Sequence, residues 1–202
     1  MCMNFDNDSV FFGIQVPFAR FTALAEAHAR ANPDTPSIEV RGKKLIADNF
    51  PEPEIEPFVR AVCRWGGYEG IAGRVLRRNR RAQICVALRE AASRIAETTP
   101  NVRAALESVN RLKDLGTPSF ASKHLRFLFP EHCPVFDSLL QEALPYSFDP
   151  EGYGCFARDC SALATELSRR KVANPWSRRN GLWFAADAEA VLYAHVTKTD
   201  EG

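Results

Sequence analysis

The chain has 202 residues, 46% of them hydrophobic, which is enough for one domain with a core and too short for two generous ones. With 26 basic and 25 acidic residues the formal net charge is +1, so the total excludes a strongly polycationic or polyanionic protein and only local charge can speak for a nucleic-acid partner. The first residues carry acids and asparagines instead of a basic-then-apolar leader, and no apolar run nears about 18 residues, so the expectation is a cytoplasmic protein without a membrane span.

In chain order, Phe18, Phe21, Leu24, Ala25 and His28 share one helical face that stops before Asn32, Pro33 and Asp34. Residues 37–47, with Ile38, Val40, Gly42 and Leu45, alternate weakly and predict a short hairpin; nothing else reads as strand. Glu52, Pro53 and Glu54 open a helix whose inward face is Ile55, Phe58, Val59, Val62 and Cys63, ended by Trp65, Gly66, Gly67 and Tyr68. A short helix follows over 71–77, then a longer one through Ile84, Leu88, Ala92 and Ile95. Beyond Pro100, near a cap at Thr98 or Thr99, comes another through Val102, Leu106, Val109 and Leu112. Phe156, Leu163 and Leu167 mark one C-terminal helix; Phe184, Val191, Leu192 and Val196 mark the last. The sum predicts an all-α fold, a single compact helical domain over 1–202 of roughly seven to nine helices.

Six cysteines, Cys2, Cys63, Cys85, Cys133, Cys155 and Cys160, form no C-x-x-C pair, and four lie among apolar neighbours, so packed thiols are expected instead of disulfides. The histidines make no metal-ligand spacing and no phosphate-loop glycine pattern is present, so neither a metal nor another cofactor is implied.

The chemistry concentrates in residues 109–140, VNRLKDLGTPSFASKHLRFLFPEHCPVFDSLL. A helix closes at Leu112, the turn Lys113-Asp114-Leu115-Gly116 follows, and a second helix starts at Thr117 or Ser119 with Pro118 in its first turn. In such a helix hairpin Gly116 lets backbone approach a phosphate, and the N–H groups opening the second helix favour an anion. That helix ends at Phe129 and Pro130. After Glu131, His132 and Cys133 come Pro134, Val135, Phe136 and Asp137, an acid placed by a rigid entry and able to cap the helix that follows.

This pairing of a hairpin with an aspartate in a Pro-Val-x-Asp setting resembles the signature of the helix-hairpin-helix DNA glycosylases, in their 8-oxoguanine-glycosylase-like branch. FVRAVCRWGGY, beginning at Phe58, IAGRVL, beginning at Ile71, and WFAAD, beginning at Trp183, are similar to bacterial proteins of that fold. The resemblance covers about residues 54–196 and leaves residues 1–50 as an extension of unassigned kinship. It implies a monomeric enzyme that cleaves the N-glycosidic bond to a damaged or modified base in double-stranded DNA, in base-excision repair or against modified phage DNA. Nucleoid association in the cytoplasm follows from it. The alternative is a hairpin DNA-binding module without catalysis.

By the same resemblance Asp137 stabilises the oxocarbenium-like transition state or places the nucleophile; the plainer reading is a helix cap. Members with lyase activity carry a lysine near the position of Ser119, where this chain has serine, and Lys123 stands one helical turn further on the same face. Lys123 is accordingly read as nucleophile, as phosphate contact, or as a solvated lysine. The turn also departs from the family's Leu-Pro-Gly-x-Gly, with Lys113 and Asp114 where Pro-Gly belongs.

Gly116, Thr117, Ser119, Arg126, Arg77 and Arg78 are the candidate DNA contacts. Arg74, Arg77, Arg78, Arg80 and Arg81 form one basic group, and Arg169, Arg170, Lys171, Arg178 and Arg179 a second, each either an electrostatic footprint for DNA or a solvated face. Trp65, Tyr68 and Phe136 are candidates for holding an everted base, with Tyr146 and Tyr153 in a loop over 145–154; core packing is the competing role for each.

Overall fold

The computed structural model describes residues 3–6, 8–176 and 178–197; Cys2 lies outside them. It begins with an antiparallel meander of three strands, β1 (Asn4–Phe5), β2 (Ser9–Phe11) and β3 (Gln15–Pro17), in which Val10 faces Val16. These strands were not expected, because segments of two or three residues are too short to show alternation. The tight connection at Gly13 takes φ +85°, and a side chain there would press on Pro145. Val10, Phe12, Val16 and Phe18 join the same hydrophobic core as the rest of the chain.

Ten α-helices follow among the described residues, more than the periodicity predicts: α1 (Phe21–Ala31), α2 (Thr35–Ala47), α3 (Glu52–Trp65), α4 (Glu69–Arg78), α5 (Arg81–Ile95), α6 (Val102–Asn110), α7 (Pro118–Leu128), α8 (Ser138–Ala143), α9 (Pro150–Arg169) and α10 (Ala185–Val196). Helix α3 buries the expected face of Ile55, Phe58, Val59, Val62 and Cys63. Among the described residues no helix is long and apolar enough to cross a membrane.

Helix α2 replaces the expected hairpin over 37–47. Thr35, Ile38, Glu39, Gly42 and Leu45 are its buried positions, spaced by three or four residues as one helical face requires. Gly42 belongs to that face because α2 crosses α7 there so closely that a Cβ would stand 2.1 Å from the Phe127 carbonyl oxygen. Two other boundaries shift for the same kind of local reason. Asn101, not Thr98 or Thr99, caps α6 by accepting from the Ala104 N–H at 3.1 Å. Asp149 caps α9 at Gly152, so the helix begins inside the predicted loop and Tyr153 is fully buried, its hydroxyl donating to the Pro134 carbonyl at 3.1 Å.

Helix α7 is the axis of the fold. Every residue from Ala121 to Leu128 is buried, and the helix packs against α2, α3 and α6, while α10 packs against α1, α8 and α9. Between these two groups lies a buried ionic network. Arg126 donates to Glu39 at 2.6 Å, and Arg178 bridges Glu39 at 2.5 Å and Asp187 at 2.7 Å. Arg126 is 1% exposed and stands against the faces of Phe127 and Trp65, so it is an interior strut and not a DNA contact. The second basic group is depleted in part: Arg178 is inside this network, and Arg169 and Arg170 pair with Glu166 at the surface. Cys63, Cys85, Cys133 and Cys160 are buried free thiols and Cys155 is a half-buried one.

Candidate active site

A cavity of about 290 Å³ opens where α1, the end of α3, α7, the start of α8 and α10 meet. Lys123 reaches it from α7. Its side chain is 8% exposed, and Nζ donates to Ser119 Oγ at 3.2 Å and lies 3.9 Å from Asp137 Oδ2. Gly66 makes room for this lysine, since a Cβ there would sit 3.1 Å from Lys123 Cδ. Burial lowers the pKa of the amine, more than Asp137, Glu189 and Cys63 raise it, so the uncharged and nucleophilic form is easier to reach than on a surface.

Asp137 is 14% exposed on its side chain and divides its two oxygens between two tasks. Oδ1 accepts the Leu140 N–H at 3.2 Å and caps α8, while Oδ2 faces Lys123 across the cavity. The cap and the charged site residue are therefore compatible in one side chain. Its position is held from behind: the Phe136 N–H donates to Ser122 Oγ at 3.0 Å, and the Phe136 ring is buried against Phe156 at 5.0 Å and against Tyr146. Phe136 thus belongs to the core and not to a base pocket, and so do Tyr153 and Tyr146, whose hydroxyl is spent on Asp159 at 2.7 Å.

Trp65 and Tyr68 do line the cavity. Trp65 donates from Nε1 to Thr35 Oγ1 at 2.9 Å and sets its edge against Phe127; Tyr68 stands 56% exposed at the rim, edge-on to Phe120. Among the lining residues that the sequence reading did not name for the site, three carry side chains of chemical interest. Tyr193 and Glu189 come from α10 and His28 from α1. His28 was read as core by its period, and it is buried, with edge contacts to Trp176 and Tyr193 and with no hydrogen-bond partner for Nδ1 among the described residues. Burial, aided by Arg126, depresses it to about 4 and keeps the ring neutral. Glu189 is 4% exposed; burial and the nearby Asp137 push its carboxyl up to about 8. Its signal was available: an acid inside the apolar run AEAVLYAHV has either a partner or a task.

The turn between α6 and α7 lies on the surface, with Gly116 and Thr117 exposed and Thr117 in extended backbone before Pro118. The left-handed residue there is Asp114, at φ +65°, and not Gly116, where a Cβ would only touch the Asn110 carbonyl at 3.5 Å. The conformational reason for a glycine at 116 is therefore absent. Asn79 clamps the turn by donating to the Lys113 carbonyl and accepting its N–H, both at 3.0 Å. Arg78 and Arg74 sit 3.4 and 3.9 Å from Asp114, so the acid in this turn has cations beside it. Arg77, Arg78, Arg80, Arg111 and Lys113 line an open groove beside this turn.

Among the described residues no group of three His, Cys, Asp or Glu side chains is placed to share a metal ion. What the cavity brings together is a buried amine, a carboxylate, a second and protonatable carboxyl, and aromatic walls. No family model matches the chain, and neither a curated protein nor a solved structure gives a match.

Proposed function

We propose that the protein is a DNA glycosylase that breaks the N-glycosidic bond of a damaged or modified base, with Lys123 as nucleophile and Asp137 as the stabilising carboxylate. The observation that carries this reading is the shared cavity: Lys123 Nζ and Asp137 Oδ2 stand 3.9 Å apart in one partly shielded space, although Ser119 occupies the position where the glycosylases that the sequence resembles keep a lysine. A helical turn separates Ser119 from Lys123, and the Ser119–Lys123 hydrogen bond accounts for how the displaced lysine serves the same place. The cavity is at the small end of ligand sites, about 300–1,000 Å³, which suits one heterocycle better than a large cofactor.

In this reading α6, the turn and α7 act as the helix-hairpin-helix. Gly116 and Thr117 present N–H groups at the start of α7 to a phosphate, and Arg77 and Arg78 add positive charge nearby. The target nucleotide leaves the stack and its base enters between Trp65, Tyr68 and Tyr193. Lys123 attacks the sugar carbon as the base departs, and the Asp137 charge stabilises the developing cation in a site partly shielded from water.

The test is a panel of duplexes bearing oxidised, deaminated or alkylated bases, together with borohydride trapping on an abasic duplex. Base release from at least one lesion and an adduct lost in Lys123→Ala are expected. Asp137→Asn keeps a capping oxygen but removes the charge, so release falls while stability changes little. Absence of both release and adduct across the panel refutes the enzyme. The alternative hairpin module then stands, favoured by the arginine groove outside the cavity, and is recognised by a steep loss of duplex affinity between about 50 and 200 mM salt.

A further inference from the structure

Helix α10 carries two buried acids. Asp187 is answered by Arg178 and by Asn174, whose side-chain amide donates to it at 3.0 Å. Glu189 has no such answer: among the described residues no cation lies within 4 Å, and its hydrogen bond is the Val135 N–H to Oε2 at 3.3 Å. An ionised carboxylate is poorly served by one neutral donor in the interior, whereas a carboxylic acid in the same place loses little. The chain nevertheless keeps an acid here, on the wall of the cavity that holds Lys123 and Asp137. A packing role would be met as well by the alanines and leucines around it.

The groups facing Glu189 come from every neighbouring element. They are Asp137 at the head of α8, Lys123 and Arg126 on α7, Tyr153 and Cys160 on α9, and Tyr193 one turn along α10, while His28 of α1 lines the same cavity. Burial and Asp137 favour the protonated acid; Arg126, the Val135 N–H and Lys123 oppose them, and the balance falls near 8. Two carboxyl groups in one cavity are thereby differentiated, one holding a proton and the other facing the amine, as acid–base pairs in active sites are.

We propose that Glu189 is the general acid of this site, protonating the leaving base while Lys123 displaces it. The assignment rests on the glycosylase reading above. As the N-glycosidic bond breaks, its electron pair stays on the base nitrogen, and the Glu189 proton passes to the base, which leaves neutral. The Lys123 lone pair forms the new bond to the sugar carbon; the proton then carried by that nitrogen is lost to water. The Glu189 carboxylate regains its proton from water at the cavity mouth.

The full chain is assayed for single-turnover base release, from about pH 6 to pH 10, on whichever lesion duplex the wild type processes. In parallel, the end-point adduct trapped by borohydride on an abasic duplex is measured, a substrate with no base left to protonate. The wild-type rate is expected to fall about tenfold per pH unit above about 8. Glu189→Gln is expected to be about 100-fold slower at neutral pH with that limb gone, while its abasic adduct stays within about twofold of wild type. Release within about threefold of wild type with the same alkaline limb overturns the assignment and leaves the glycosylase reading intact. Loss of release and adduct together also overturns it, because Glu189 then merely supports the fold. If the wild type frees no base from any duplex, the glycosylase reading fails first and the general acid with it.

Discussion

Replacing Arg126 by methionine tests whether this arginine is a strut of the interior, as its burial argues, or a DNA contact. Removing one partner of a buried ion pair costs about 3–5 kcal/mol when the other charge is left alone. Two features of this site reduce that figure. Glu39 keeps Arg178 at 2.5 Å, and the Arg126 Nη2 that has no partner among the described residues, a burden of about 1–3 kcal/mol, is deleted with the side chain. Methionine also preserves contact with Trp65 and Phe127, against which the guanidinium stands. The expected loss is therefore about 2–3 kcal/mol, or roughly 5–10 °C in Tm for a chain of this length. Urea unfolding of wild type, Arg126→Met, Glu39→Gln and the double variant should give a coupling of about 1–2 kcal/mol, because the two side chains touch at 2.6 Å. Affinity for duplex DNA and its salt slope should not change. A stability loss under about 0.5 kcal/mol combined with a weaker salt slope would refute the reasoning and return Arg126 to the DNA surface.

Glu189→Gln should alter stability in a pH-dependent way whatever the activity. The folded carboxyl is raised to about 8 from an unfolded 4.5, so the Glu189 contribution to stability is fully present below 4.5 and is lost as pH rises towards 8. Glutamine has no such loss, and its advantage should grow from almost nothing at pH 4.5 to about 3 kcal/mol at pH 7 in denaturant titrations; a difference that stays flat with pH would disprove it. His124 is buried beside Phe58, bonds the Phe120 carbonyl, and is depressed by its burial to about 4 from 6.5. The unfolded chain takes up its proton first, so the His124 contribution to stability is full above pH 6.5 and is lost towards pH 4, by up to about 3 kcal/mol; His124→Leu should remove that share of the acid slope and leave the comparable share of His28. Gly42→Ala drives a methyl into the Phe127 carbonyl of α7 and should cost about 3 kcal/mol or prevent folding; near wild-type stability would show that α2 does not cross α7 so closely.

Much of the framework was legible along the chain. Helix α3 declared itself through five apolar residues on one face, and the cap of α8 at Asp137 followed from an acid placed after a proline-led entry. Lys123 and Asp137 were found because both belong to one continuous stretch whose spacing carries information. Helix α2 was hidden, since Ile38, Val40 and Gly42 mimic a strand and only the close crossing over α7 explains the glycine. Arg126 showed as a positive charge, but its partners Glu39 and Arg178 are remote in the chain, and nothing local reveals that they meet.

Local order of residues therefore determined where most helices run, that Asp137 caps α8, and that an amine and an acid belong to one continuous stretch of chain. Tertiary packing alone decided that α1 and α10 close over that pair, bringing His28, Glu189 and Tyr193 to the same cavity and shielding it in part from water. The physical reason is range: helix propensity and capping act over a few neighbours, whereas burial, and the proton affinities it shifts, depend on every chain segment that arrives at the site.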